Sequence, residues 1–269
     1  DVEAFEKYPK PLKVVATLGL TAGAAYDSPR WLPDGEHLLV SRVVPLADGR
    51  ARPDLFTWNY KTKKIRRVTR ASGILQADAF PDGKRAAALT CGSGTCSLLT
   101  VDLASGETRT LAAGGIDRSY AGVRVSPDGQ RVITSRQRGA LWDLVMVDAA
   151  SGNTVVVGPQ DGASRYSATW ADDSTIVAVS EANGIQSIER IPLRGTPSVI
   201  VRTVGAASAP DVARDGRTFW LDLHARGYDL RVNEANATVP MGTSLDVALA
   251  PVVRRVNAQL ARDFDSVAV

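Results

Sequence analysis

Histidine and cysteine are almost missing from this 269-residue sequence, which holds two of each. His37 and His224 are far apart in the chain, and with Cys91 and Cys96 they make a poor ligand set for structural zinc. No metal site and no cofactor is expected. Long apolar runs are missing too: none approaches the ~20 residues of a membrane helix, so no transmembrane segment is expected. Charge of one sign is scarce, with a formal net charge of +3. Aromatic residues do not alternate with the basic ones as a single-strand platform requires, and nucleic acid is not an expected partner. The G-x-S-x-G, H-E-x-x-H and P-loop signatures do not occur. No catalytic residue is therefore assigned, and the chain is read as non-enzymatic by itself. Its opening, DVEAFEKYPKP, has neither an initiator Met nor a secretory leader, so a processed form or a piece of a longer protein is expected.

What is present is a recurring phrase. LPDGEHLLV, FPDGKRAAAL, SPDGQRVIT, ADDSTIVAV and RDGRTFWLD place an acidic anchor at Asp34, Asp82, Asp128, Asp173 and Asp215, at intervals of 48, 46, 45 and 42 residues. A bulky apolar residue precedes each anchor and a β-rich run follows it. A polar loop leads to a third strand, a tight turn such as ASGET or ASGNT comes next, and a fourth strand closes the unit. Proline presets φ, aspartate bonds forward to the backbone, and glycine accepts positive φ. The anchors are thus read as hairpin chemistry joining the first strand (a) to the second (b), not as catalytic carboxylates. Four-stranded units at this period are the signature of an all-β propeller of antiparallel blades. A β-sandwich would supply strands but no repeated phrase. Five repeats are visible, for a ring of five or six blades.

WLPDG, VSPDG and WADDS, with VDLASGET and VDAASGNT downstream, resemble the Trp-Ser-Pro-Asp-Gly repeats of TolB-like propellers. The resemblance covers roughly residues 24–232 and implies the fold first. It further implies a protein-interaction platform in the bacterial cell envelope, periplasmic or peripherally associated, with protein partners. Similar repeats occur in propeller domains of prolyl oligopeptidase-like enzymes, so the alternative is a domain that gates or orients substrate for a peptidase or hydrolase whose catalytic part lies outside this chain. A third reading is a small-ligand or glycan binder at the channel mouth. Residues 1–241 are assigned to the propeller, with residues 12–18 as a closing strand. Residues 242–269 are read as a C-terminal tail whose segment 251–264 has helical apolar spacing.

Strand direction alternates within a blade, so the b–c hairpins and the d–a connections share one face, where propellers usually bind. Candidate binding residues there are Arg118, Tyr120, Arg138, Arg165, Tyr166, His224 and Arg226, an arginine-rich set suited to a carboxylate or an acidic peptide. Asp54, Asp143 and Asp229 precede an apolar residue at the start of strand c and are expected to cap loops. Arg30, Asp78, Arg124 and Asp211 fall on the innermost strand, where a charge needs a partner or water. Arg30 is expected to pair with Asp78 in a hydrated channel. Cys91 and Cys96 flank a glycine-containing hairpin. They are read either as a disulfide, which fits an oxidising compartment, or as two free thiols. The basic run KTKKIRRVTR is expected to be an outer edge strand blunted by charge.

Overall fold

The computed structural model describes residues 16–18, 25–225 and 227–233. Within them the chain is all β, in five antiparallel meanders ringing an axis. Blade 1 holds β1 (Tyr26–Trp31), β2 (His37–Pro45), β3 (Ala51–Asn59) and β4 (Ile65–Arg67). Blade 2 holds β5 (Ile74–Ala79), β6 (Arg85–Gly92), β7 (Thr95–Asp102) and β8 (Thr108–Ala112). Blade 3 holds β9 (Tyr120–Val125), β10 (Arg131–Arg138), β11 (Leu141–Asp148) and β12 (Thr154–Val157). Blade 4 holds β13 (Arg165–Asp172), β14 (Thr175–Ser180), β15 (Ser187–Pro192) and β16 (Ser198–Val201). In blade 5 the described strands are β17 (Ala206–Val212), β18 (Thr218–His224) and β19 (Gly227–Asn233). The first strand of each blade is innermost, and these strands touch in succession from blade 1 to blade 5: β1 with β5, β5 with β9, β9 with β13 and β13 with β17. This is the propeller that the repeat predicts. Of the expected closing strand, residues 16–18 carry no strand pairing, and residues 12–15 lie outside the described residues. So do the tail after residue 241, with its helical segment 251–264, and Arg226.

The repeated phrase folds as its chemistry dictates. Asp82 Oδ1 accepts from the amides of Lys84 and Arg85 at 2.8 and 3.1 Å, and Gly83 N–H donates back to Phe80 O at 3.0 Å. Asp34 and Asp128 hold the same turn in blades 1 and 3, accepting from Glu36 N and Gln130 N. Blade 4 differs by one residue: the acid that receives the turn amide is Asp172, from Ser174 at 2.7 Å. Asp173 instead accepts from Asp128 N of the neighbouring blade at 2.8 Å. The ASG turns have a second function, since the blades pack through them. A Cβ on Gly106 would lie 2.2 Å from Val68 O, and one on Gly152 would lie 2.4 Å from Leu111 O. Both glycines also sit at φ +79°, where other residues are strained.

The core is a set of wedges between blades, not a single ball. Leu39, Leu55, Ile74 and Leu99 fill the wedge between blades 1 and 2. Phe80, Leu98, Val123 and Val145 fill the next. Ile133, Leu144, Trp170 and Ile176 follow between blades 3 and 4, then Val177, Ile188, Ile200 and Trp220 between blades 4 and 5. Alternate residues of each central strand serve opposite wedges, so central strands are apolar on both faces. Each fully buried aliphatic side chain contributes roughly 1.5–3 kcal/mol. The basic run at blade 1 is largely tied down. Lys61 pairs with Glu36 at 2.7 Å, Lys63 lies over the Trp58 ring, and Arg66 donates to Leu103 O of blade 2 at 2.8 Å.

Candidate peptide-binding face

The b–c hairpins and d–a connections gather on one face, and its best-built part surrounds blade 3. The connection 113–119 is braced from several sides. Gly115 and Arg118 exchange backbone hydrogen bonds of 2.7 and 3.0 Å, so Ile116 and Asp117 form a two-residue tip. Gly114 N–H donates to Ser97 Oγ at 2.8 Å, and Cys96 N–H donates to Ser119 Oγ at 3.0 Å. Gln137 N–H donates to Ser119 O at 2.8 Å. Cys91 and Cys96 form a disulfide across the β6–β7 hairpin. The hairpin it closes is thus the one that supports this loop. The loop holds Ile116 outward, 97% exposed. The Arg118 guanidinium beside it is exposed and has no partner among the described residues.

Arg118, Arg136 and Arg138 line one concavity of about 440 Å³ together with Gly115, Ile116, Asp117 and Gln137. Arg138 is committed to the buried Asp143 through bonds of 2.7 and 3.1 Å, and Arg136 reaches the same carboxylate only at 4.0 Å. The concavity therefore holds three guanidinium groups against two carboxylates: the buried Asp143, which pairs with Arg136 and Arg138, and the exposed Asp117. Across β10, on the wedge toward blade 4, lies a second cleft of about 190 Å³ lined by Ala121, Gly122, Ser135, Trp142, Tyr166 and Ser167.

The other expected binding residues fall elsewhere. Arg165 is 4% exposed and held by Asp161 at 2.8 and 2.9 Å and by Glu189 at 2.8 Å. Hydrogen bonds from Arg165 hold the Asp161 carboxyl down at about 2, and both carboxylates push the guanidinium pKa upward. It braces blade 4. Tyr120 packs into the wedge between blades 2 and 3, because the first side chain of β9 turns inward. Tyr166 is half-buried; its hydroxyl donates to Glu181 and accepts from Gln186, each at 2.7 Å. Burial, then the Glu181 bond, pushes its pKa up and keeps it neutral. His224 sits on blade 5 with Nε2 3.3 Å from Asp229, away from the arginines of blade 3. The three aspartates at the start of strand c are not equivalent. Asp54 caps the following loop by accepting from Ala71 N and Ser72 N at 3.0 and 2.9 Å. Asp143 is held by arginines, and Asp229 by Arg231 and His224.

The axial charges converge, in a different pairing from the expected one. Arg124 joins Asp211 of blade 5 at 2.8 Å and Asp78 of blade 2 at 3.6 Å. Arg30 makes no ion pair within 4 Å among the described residues but feels the field of both carboxylates and of Arg124. Asp78 also accepts from Val125 N at 2.8 Å. Burial pushes its pKa up in spite of Arg124. Asp211 is more exposed; burial alone would raise it, but Arg124 outweighs that and holds it low. Arg124 thus ties three blades together across the axis.

Ser135, Trp142 and Arg136 were not singled out from the sequence as binding residues. Neither were the irregularities of the inner strand. Every innermost strand has a break in its pairing register, and Ser28, Ser167 and Ala209 take φ near +50° there, with Gly122 at +66°. Gly122 was the one legible signal; no local code marks the rest. Among the described residues no group of histidines, cysteines and carboxylates could hold a metal. No helix among them is long and apolar enough to cross a membrane.

The architecture defines the class: a propeller of antiparallel blades with a braced, arginine-bearing loop face. No protein-family model and no curated protein matches the sequence. Solved structures match the fold. TolB from Acinetobacter baumannii superposes with a TM-score of 0.66 at 18% identity, covering 81% of this chain and 53% of its own. A puromycin hydrolase gives 0.63 at 19% identity, covering 88% and 41%. The β-propeller domain of the Trilobed protease from Pyrococcus furiosus gives 0.56 at 12% identity, covering 85% and 73%. The chain spans about half the length of the TolB structure. At these identities the likeness is one of fold.

Proposed function

We propose that this propeller is a non-enzymatic protein-interaction platform of the bacterial cell envelope that binds an acidic segment of a partner protein on the face around blade 3. One observation carries the reading: a rigidly braced loop presents the exposed Ile116 and an Arg118 without a partner among the described residues, beside Arg136, whose one carboxylate among those residues is already bonded to Arg138. A pre-ordered loop lowers the ordering cost of binding, and guanidinium groups suit carboxylates geometrically. The fold likeness to TolB and the disulfide support an oxidising envelope compartment. The likeness to the Trilobed protease domain supports a second reading, in which the same face receives peptide for a catalytic domain elsewhere.

Fluorescence anisotropy with a labelled glutamate-rich, tyrosine-free peptide tests the reading. Saturable binding is expected, weakening with added salt. The double substitution Arg118→Glu and Arg136→Glu is expected to weaken it at least tenfold, with thermal unfolding unchanged. Equal binding by the double variant, or none by the native protein, would sink the acidic-peptide reading.

A further inference from the structure

The cleft between blades 3 and 4 has a different chemistry from the arginine concavity, and none of its six lining residues carries a charge. Ser135 is 1% exposed, and its Oγ has no hydrogen-bond partner among the described residues. Buried hydroxyls are normally satisfied, so this one is a polar point set in a mostly apolar pocket. Ser135 faces Leu144 across the β10–β11 ladder and so shares the side of the sheet that packs on blade 4. Trp142 and Tyr166 bring two flat rings to the walls. Ala121, Gly122 and Ser167 are small, and a Cβ on Gly122 would meet nothing within 4 Å. The volume of about 190 Å³ somewhat exceeds the ~150 Å³ apolar cavity that accepts benzene. It fits one six-membered ring and a substituent.

We infer that this cleft is a side-chain pocket for a tyrosine of the bound peptide, with the phenol hydroxyl meeting Ser135 Oγ. A carboxylate or an ammonium group would find no opposite charge on its walls. An aliphatic side chain would leave Ser135 unpaired and gain nothing from the two rings. Ser135 precedes Arg136 on β10 and their side chains leave opposite faces of the sheet. An acidic residue beside the tyrosine would then meet the arginine concavity. The inference rests on the reading of this face as a peptide-binding surface, and it names the kind of residue that surface selects.

N-acetyl-tyrosinamide and N-acetyl-phenylalaninamide serve as neutral probes, titrated into ¹⁵N-labelled protein. The Trp142 indole signal, one of five in the chain, is assigned by its loss in Trp142→Phe. Saturable shifts of that signal are expected at millimolar probe, insensitive to salt. The tyrosine probe should bind about fivefold more tightly, the worth of one neutral hydrogen bond. Ser135→Ala should bring the two probes to equal affinity without losing either. No saturable shift, equal affinity in the native protein, or an unchanged ratio in Ser135→Ala would each overturn the pocket. Binding of the tyrosine-free acidic peptide without any response to N-acetyl-tyrosinamide removes the pocket alone. The reverse result supports the pocket and removes the acidic-peptide reading alone.

Discussion

Asp54 offers the most stringent test of how the blades are joined. Its side chain has 0% exposure and accepts from Ala71 N, Ser72 N, Ser72 Oγ and Thr69 Oγ1 while pairing with Arg67. It therefore fixes the end of blade 1 and the connection into blade 2. Asp54→Ala leaves two loop amides without an acceptor, leaves the Thr69 and Ser72 hydroxyls with only each other to share, and leaves an arginine without its carboxylate. Removing one partner of a buried pair costs about 3–5 kcal/mol. Arg67 retains 26% side-chain exposure, so water recovers part of its share and the lower half of that range is expected. Asp54→Asn keeps one acceptor oxygen and loses the charge, for about 1.5–3 kcal/mol. Either is a large part of the 5–15 kcal/mol of a typical domain.

The assay is urea unfolding combined with hydrogen exchange at the Ala71 and Ser72 amides, which should lose protection ahead of the blade cores. The pH dependence gives a second signature. Burial alone would raise the Asp54 pKa, but the Ser72 and Arg67 hydrogen bonds outweigh it and hold the carboxyl below its ordinary range. Its stabilisation is therefore complete above the unfolded value of about 3.9 and declines as pH falls through the lower folded value. The gap between native protein and Asp54→Asn should narrow in that acid window. If Asp54→Ala stays within about 1 kcal/mol of the native protein with both amides still protected, the claim that this carboxylate joins the blades is wrong.

Two further substitutions probe the packing. Gly106→Ala drives a methyl group into Val68 O and occupies φ +79°, so thermal unfolding should show a loss of about 2–4 kcal/mol; Gly129→Ala, which meets only the Pro81 and Phe80 side chains, should cost less. At the axis, Arg124→Met leaves Asp78 buried without its cation and should cost about 3 kcal/mol or more, whereas Asp78→Asn removes a carboxyl already strained by burial and should cost about 1 kcal/mol or less; equal losses in denaturant melts would contradict the asymmetry.

The hairpins were legible because turn chemistry is local: Asp82 and Gly83 bond to residues two to three positions away. The blade order followed from the period of those turns. The same reasoning slipped by one residue at Asp172 and Asp173, where two adjacent acids look alike and only the three-dimensional neighbour, Asp128, separates them. Pairings over long separations were not legible. Arg124 and Asp211 are 87 positions apart, and nothing in either segment favours that pair over Arg30 with Asp78. Tyr120 and Arg165 looked like rim residues because each begins an inner strand. Their burial depends on whether the side chain leaves toward the neighbouring blade, which a one-residue shift reverses. Ser135 and Trp142 escaped notice because their cleft is completed by Tyr166 and Ser167 of another blade.

The two faces of the ring differ in how uniform they are, and this bears on where recognition is written. On the face of the a–b and c–d turns, one solution recurs, with Asp34, Asp82, Asp128 and Asp172 each receiving the turn amides. On the other face three blades are each braced differently: by Asp54 after blade 1, by the disulfide hairpin and Ser97 after blade 2, and by Asp161, Arg165 and Glu189 in blade 4. A repeated device answers a repeated need, which in a ring is closure of each hairpin. Devices that differ from blade to blade hold loops whose shapes differ, and binding residues on rigid scaffolds concentrate in such loops. Arg118 is the extreme case, since its side chain stabilises nothing among the described residues while five hydrogen bonds hold its loop in place. A structural role would show as lost stability on substitution, and a recognition role as lost affinity with the fold intact. With no partner for its side chain among the described residues, Arg118→Glu is expected to give the second result, and a loss of stability in thermal unfolding would refute the recognition role.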